Sequence, residues 1–267
     1  MFHLDTYFLL FSGTINFLIL LLGLILGSFL NSWIWRTHDN VSMFGYTRSM
    51  CVHCRRQLSW YENIPLLSFL VLKGKCRTCK KPIPFTYPLV ELLTAFALWF
   101  AAYHQLSVQF SEWVLLRDVF YVVFLIIIFF YDLQYQLVLS KIVWSGVAIA
   151  LLVNWYILNQ PLEPMLIGAV VGGGFFWLQY VISKGRWIGG GDVRLGFMMG
   201  VWLGWPNILA ALFFAYILGA IISIFLLISK KAGRKTEIPF GTFLAVSTFF
   251  TLYYGDKVVH WYVQLLK

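Results

Sequence analysis

Apolar runs long enough to cross a bilayer recur along almost the whole chain, and they decide what it can fold into. A helix needs roughly 20 apolar residues to traverse the hydrocarbon core. Lipid cannot hydrogen-bond an open backbone, so each such run closes its own bonds as a helix. The expected spans are 15–35, 88–104, 113–131, 138–158, 164–183, 193–205, 207–229 and 240–262, about eight in all. The sixth is short and glycine-rich and is closed by Gly204-Trp205-Pro206-Asn207. It reads as a tilted half-span or as a continuation of its neighbour. With 60% hydrophobic and only 12% charged residues, the chain lies far from the balance of a soluble domain. The first run is too long for a signal-peptide core, lacks a basic leader and has no small-residue cleavage site, so it is expected to be retained.

The net charge of +9 sits in the gaps between these runs. Arg36, Arg48, Arg55, Arg56, Lys73, Lys75, Arg77, Lys80 and Lys81 fall in 36–81; Lys184, Arg186 and Arg194 in 184–194; Lys230, Lys231, Arg234 and Lys235 in 230–235. The gaps 104–112 and 159–163 hold no Lys or Arg. Basic loops stay on the cytoplasmic side, which places the N-terminus outside and explains the charge by topology rather than by a nucleic-acid partner. The expected fold is an all-α polytopic membrane protein with a small cytoplasmic zinc-binding domain between its first and second spans. Its divisions are a first transmembrane segment at 1–35, a zinc-knuckle domain at 36–86 and a transmembrane core at 87–267.

The polar stretch from Arg36 to Pro84 carries all four cysteines. Cys51-x-x-Cys54 and Cys76-x-x-Cys79 form two knuckles separated by 21 residues, close to the spacing at which paired thiolates close a tetrahedral site. A reducing cytoplasm argues against disulfides. Four sulfur ligands leave no open position, so the zinc is expected to be structural and to supply much of the folding free energy of so small a segment. Four unmetallated cysteines are the alternative, and His53 and His104 are further ligands in principle.

Ionisable groups at a membrane span point to function. Asp132 ends the run Phe120–Tyr131, and Asp192 closes Gly189-Gly190-Gly191-Asp192. The loop charges put both at cytoplasmic helix ends, where the folded bundle can unite them. Two adjacent carboxylates share a proton, so one can activate water while the other protonates a peptide carbonyl. The glycines before Asp192 permit close approach of an extended substrate. The plainer alternative has Asp132 terminating a span and Asp192 offsetting Arg194 or Lys184.

Over most of its length the sequence resembles a type IV prepilin peptidase. The resemblance is carried by Gly27-Ser28-Phe29-Leu30-Asn31, the two C-x-x-C knuckles, Trp60-Tyr61-Glu62-Asn63-Ile64-Pro65 and Gly74-Lys75-Cys76-Arg77. It continues through Tyr87-Pro88-Leu89-Val90-Glu91-Leu92-Leu93-Thr94, Tyr131-Asp132, Gly189-Gly190-Gly191-Asp192-Val193-Arg194-Leu195 and Ile238-Pro239-Phe240-Gly241. The resemblance implies an aspartic peptidase of the bacterial cytoplasmic membrane that cuts short basic leaders from prepilins or pseudopilins at the cytoplasmic face. Such substrates serve pili, secretion or DNA uptake. By the motif match, Asp132 and Asp192 are the catalytic pair and Cys51, Cys54, Cys76 and Cys79 the zinc ligands. Many members also methylate the new N-terminus with S-adenosylmethionine.

The chain departs from relatives after the first catalytic Asp, where further acidic and Pro residues are replaced by Leu133-Gln134-Tyr135-Gln136-Leu137-Val138-Leu139-Ser140. Arg194 stands where Lys is frequent, and Thr37 where Pro is frequent. No glycine-rich nucleotide loop follows a strand, so a methyl-donor site has to be built from span ends and the basic domain. Gly27, Asn31, Arg36 and Glu91 are its candidates; pairing with a basic residue of the zinc domain is the alternative role for Glu91. Three rival readings exist. A transporter needs polar residues through the bundle centre, of which these spans are nearly free. A non-catalytic membrane assembly protein would leave the aspartates dispensable. A presenilin-like intramembrane protease shares Tyr-Asp and G-x-G-D but carries Pro-Ala-Leu where this chain has Ile238-Pro239-Phe240-Gly241.

Overall fold

The computed structural model describes residues 13–42, 48–108, 110–229 and 238–266. The expected external N-terminus (1–12) and the basic gap at 230–235 lie outside them. The described residues form nine α-helices: α1 Gly13–His38, α2 Leu67–Val71, α3 Thr86–Val108, α4 Glu112–Tyr135, α5 Ser140–Ala150, α6 Leu162–Ser183, α7 Gly190–Leu203, α8 Asn207–Ile228 and α9 Phe240–Leu265. A wide π-helical stretch, Leu151–Ile157, continues α5. No strand occurs among the described residues; two isolated β-bridges stand in the cysteine region.

A helix coincides with each of the eight apolar stretches, and six of these are long and apolar enough to cross a membrane, so the chain is a multi-pass membrane protein. The two that fall short do so differently. With 14 residues, α7 rises only about 21 Å, less than the hydrocarbon thickness. At 26 residues, α9 is long but dilutes its apolar side chains with Thr, Ser, Lys257 and Asp256.

The chain divides into two compact units, Met1–Ser111 and Glu112–Lys267. In the first, α1 and α3 pack closely because glycine removes the side chain at the contact. A Cβ on Gly23 would stand 2.4 Å from the Ala95 Cα, and one on Gly27 would stand 2.6 Å from the Glu91 Cα. Asn31 then crosses the seam to donate to the Tyr87 carbonyl at 3.0 Å, and Trp99 donates to Asn16 at 2.8 Å. Gly23 and Gly27 are four residues apart in sequence, the small-xxx-small spacing by which membrane helices come together where no hydrophobic drive exists between them.

In the second unit α7 is the buried element. Leu195, Met198, Met199 and Trp202 are enclosed by α5, α6 and α9. Its seam with α6 is made of two reciprocal glycine pairs. A Cβ on Gly172 would meet the Gly196 carbonyl at 2.3 Å and one on Gly196 the Gly172 carbonyl at 2.6 Å; Gly168 and Gly200 oppose each other at 2.4 and 2.0 Å. No side chain fits there, and the backbones themselves make the contact. This fixes the height and rotation of α7, whose first turn begins at the triple glycine.

Replacing Gly200 by Val forces a branched side chain against the Gly168 carbonyl. The variant is expected to lose about 1–3 kcal/mol of stability, the usual cost of overpacking, read as a lower thermal midpoint in detergent. Gly174→Ala in the facing helix α6, where a Cβ meets nothing within 4 Å, does not lower that midpoint.

Candidate active site and metal centre

The two cysteine knuckles are the same turn built twice. In the first, Cys51 N–H donates to the Arg56 carbonyl, Arg55 N–H to the Cys51 carbonyl, and Met50 bridges Gln57. In the second, Cys76 N–H donates to Lys81, Lys80 N–H to Cys76, and Lys75 bridges Pro82. Arg55 and Lys80 both take positive φ, 56° and 58°, to close the loop. The four Sγ atoms lie within 4.8 Å of one another, and Cys51 and Cys79 are 4.0 Å apart. Zn–S bonds of about 2.3 Å in a tetrahedron set sulfur atoms roughly 3.8 Å apart, so the quartet fits a metal ion such as zinc.

Backbone N–H groups of Cys79 and Thr78 lower the Cys76 thiol to about 6, while burial raises Cys51 to about 11. The cluster thus favours thiolate at one knuckle, and a bound cation would draw the remaining protons from the other. A positive group stands against this centre: Arg56 makes a two-pronged ion pair with Glu62, at 2.7 and 3.0 Å, and Glu62 also accepts the Ser59 N–H at 2.8 Å. The Trp60–Asn63 turn is tied to the first knuckle in this way.

Of the methyl-donor candidates, Gly27 and Asn31 serve the α1–α3 seam, whereas Arg36 and Glu91 line a cavity between these helices and the knuckles. Arg36 donates to the Arg48 carbonyl at 2.8 Å. Glu91 is 7% exposed, accepts the Leu66 N–H at 2.8 Å and lies in hydrogen-bonding reach of Ser28. The cysteine region therefore meets Glu91 through a backbone amide, and no ion pair involving Glu91 occurs among the described residues. Leu66 holds φ at 59°, a strained setting for a branched residue that the Glu91 bond helps to hold.

In the second unit Asp132 lies in the last turn of α4 and is 5% exposed. Its Oδ2 accepts the Thr242 N–H at 2.9 Å, at the start of α9. Asp192 lies in the first turn of α7 and accepts the Gly189 N–H at 3.3 Å. The start of α7 also abuts the segment that follows Asp132: a Cβ on Gly191 would stand 3.0 Å from that of Val138, and Arg194 donates to Ser140. The carboxylates of Asp132 and Asp192 are within electrostatic reach of each other. Arg194 instead uses its guanidinium on Ser140 and on the Gly190 carbonyl at 3.1 Å. Among the described residues neither aspartate forms an ion pair.

A second acidic group in α4 escaped the sequence reading. Asp118 is 1% exposed and is gripped by Arg117 at 2.8 and 2.9 Å. Arg117 reaches Asn154 at 3.4 Å, Asn154 donates to the Tyr121 hydroxyl at 3.0 Å, and Tyr121 stacks on Trp202 with centroids 3.8 Å apart. Fourteen residues separate Asp118 from Asp132, about 21 Å along the helix. The available signal was the Arg-Asp dipeptide inside an apolar helix, together with the lone Asn154 in the next one.

Two family models match the chain: Bacterial Peptidase A24 N-terminal domain over residues 21–105 and Type IV leader peptidase family over residues 119–224. The prepilin leader peptidase/N-methyltransferase of Stutzerimonas stutzeri is 32% identical over 276 residues, 93% of each chain. The chain belongs to this prepilin leader peptidase family. The family's proteins of the same description from Pseudomonas aeruginosa and Bacillus subtilis are each 31% identical; the first aligns over 92% of both chains, the second over 93% of this chain and 98% of its own. No solved structure matches this member of the prepilin leader peptidase family. The two family models meet where the two compact units divide, between 105 and 119.

The Arg56 hydrogen bonds hold the Glu62 carboxyl below its ordinary value of 4.5. A depressed carboxyl contributes stability above the usual carboxylate range and loses it as pH falls through the lowered value. Hydrogen-exchange protection of Ser59–Asn63 is therefore expected to be full at neutral pH and to decline below about pH 4. In Glu62→Gln it is expected to be weak throughout and nearly independent of pH.

Proposed function

We propose that this chain is a membrane-embedded aspartic endopeptidase of the bacterial cytoplasmic membrane. It removes the short basic leader of prepilins or pseudopilins at the cytoplasmic face and methylates the N-terminus that cleavage exposes. The observation that carries the reading is the convergence of Asp132 and Asp192 from separate helices, in reach of each other and without an ion pair among the described residues. A structural pair of charges is compensated, as Arg117 and Asp118 are. A reactive carboxylate pair shares a proton instead.

The chemistry follows from that sharing. The ionised partner takes a proton from a water held between the two, the other protonates the scissile carbonyl oxygen, and the resulting diol collapses as the leaving amine is protonated. The Thr242 N–H donates to Oδ2 of Asp132 and so holds the carboxylate that would face the water. The glycines at 189–191 carry no side chain to obstruct a substrate backbone approaching Asp192. Both aspartates lie at helix ends that the basic gap at 184–194 assigns to the cytoplasmic border. The hydrophobic helix of a pilin precursor can then lie in lipid beside the bundle while its basic leader stays in water.

For methyl transfer, S-adenosylmethionine supplies an electrophilic methyl group on a sulfonium cation. In the cavity of the first unit, Glu91 is the acidic group that would face such a cation, since no ion pair offsets it among the described residues, while Arg56, Arg77 and Lys81 line the cavity as well. Arg36 and Ser28 line the same cavity and offer donors to the polar ends of the cofactor. The zinc knuckles form another wall through Cys51 and Cys76, so metal loss is expected to deform the site.

Purified enzyme in lipid, given a prepilin with a short basic leader, is expected to cut once and, with S-adenosylmethionine, to yield a product about 14 Da heavier. Asp132→Asn and Asp192→Asn should each lower cleavage by about three orders of magnitude or more; either variant cutting at the parent rate while folded refutes the assignment of that residue. Glu91→Gln should abolish the mass increase and preserve cleavage.

A further inference from the structure

We infer that the first turn of α9, and Gly241 within it, is a positioning element of the peptidase site that sets where the Asp132 carboxylate stands. The inference rests on the reading of Asp132 as catalytic and goes beyond it by naming what aims the side chain. A carboxylate in the last turn of α4 faces unsatisfied carbonyls of its own helix, an unfavourable place for negative charge. The start of α9 offers the opposite: N–H groups without intrahelical partners and the positive end of a peptide dipole. Asp132 takes up that offer. Thr242 N–H meets its Oδ2 at 2.9 Å, and the Gly241 N–H also bears on the carboxylate.

Approach this close demands glycine at 241. A Cβ there would stand 2.9 Å from Oδ2, 3.0 Å from Cγ and 3.4 Å from the Cβ of Asp132, so three atoms of the aspartate occupy the space of the missing methyl. Gly241 has no positive φ, so backbone freedom is not what reserves the position. Close contact with one side chain does. Pro239 at the N-cap and Phe240 at the first helical position fix the turn: Phe240 packs edge-on against Phe176, Tyr216 and Phe243, with centroids 6.0, 5.1 and 6.2 Å away. The turn is held rigidly, so an added methyl displaces the aspartate rather than the helix.

Among the described residues Asp192 has no such external holder. Its backbone partner is Gly189, three residues back in its own chain, at 3.3 Å. One member of the pair is thus aimed from across the bundle and the other by its local turn.

The test compares full-length parent, Gly241→Ala, Gly174→Ala and Asp132→Asn in lipid with a prepilin substrate. Gly241→Ala is expected to lower kcat by about a hundredfold, as a displacement on the order of 1 Å does to a reacting group, with KM changed by less than about twofold. Its pH–rate profile should be displaced, and its thermal midpoint should match that of Gly174→Ala. Parent-like kcat and pH profile in Gly241→Ala, beside an inactive Asp132→Asn, overturn the positioning role while leaving the catalytic one intact. An active Asp132→Asn overturns both. If Gly241→Ala fails to fold, an amide-to-ester replacement at Thr242 removes the N–H that Asp132 accepts without adding atoms at 241. The same fall in kcat supports the inference, and parent-like kcat overturns it.

Discussion

A helix in lipid satisfies its own backbone everywhere except at its ends, and these ends are the only regular places where a buried segment still offers bare N–H groups. Both candidate catalytic carboxylates are placed by this residue of unsatisfied bonding. Asp192 folds back on the N–H of Gly189 at the start of α7, and Asp132 reaches across to the N–H of Thr242 at the start of α9. Acidic side chains that would be costly in mid-span thereby find backbone donors at helix ends. The close glycine seam between α6 and α7 serves the same arrangement, since the backbone contact of Gly172 with Gly196 holds α7 at one height.

The two buried acidic groups of α4 differ in their partners. Asp118 is enclosed with a cation, an amide and a phenol, which is how a buried charge is stabilised when nothing is asked of it. Asp132 has backbone donors and another carboxylate for neighbours. Burial is similar and chemical capacity is not, because a carboxyl locked to a permanent cation stays ionised whereas two neighbouring carboxyls can share a proton. In the first unit Arg56 and Glu62 repeat the compensated pattern, whereas Glu91 is met by the Leu66 N–H and by no ion pair among the described residues.

The parts legible in the sequence are those with local causes. Apolar run length located the helices, and ligand spacing brought Cys51, Cys54, Cys76 and Cys79 together. The twin construction of the knuckles was not legible, because equivalent positions share backbone conformation while their side chains differ, Gln57 against Pro82 for example. Nor was the seat of Asp132, whose hydrogen-bond partner lies 110 residues away. Gly27 and Asn31 stand within a motif yet serve helix packing, a distinction that depends on what faces them, Glu91 and Tyr87, and not on their own identity. Arg117 went unremarked because its partner Asp118 is adjacent in sequence, whereas the Asn154 and Tyr121 that complete the cluster come from elsewhere.

Helix α4 is tethered at both extremities, through Arg117, Asp118 and Asn154 near its beginning and through Asp132 and Thr242 near its end. A rod held at two points some 21 Å apart can neither slide along its axis nor swivel about it without breaking one anchorage. The short stretch before α7 carries only glycine at 189–191 and has no such pair of side-chain anchors among the described residues. Stiffness and yielding thus fall to different elements of the bundle.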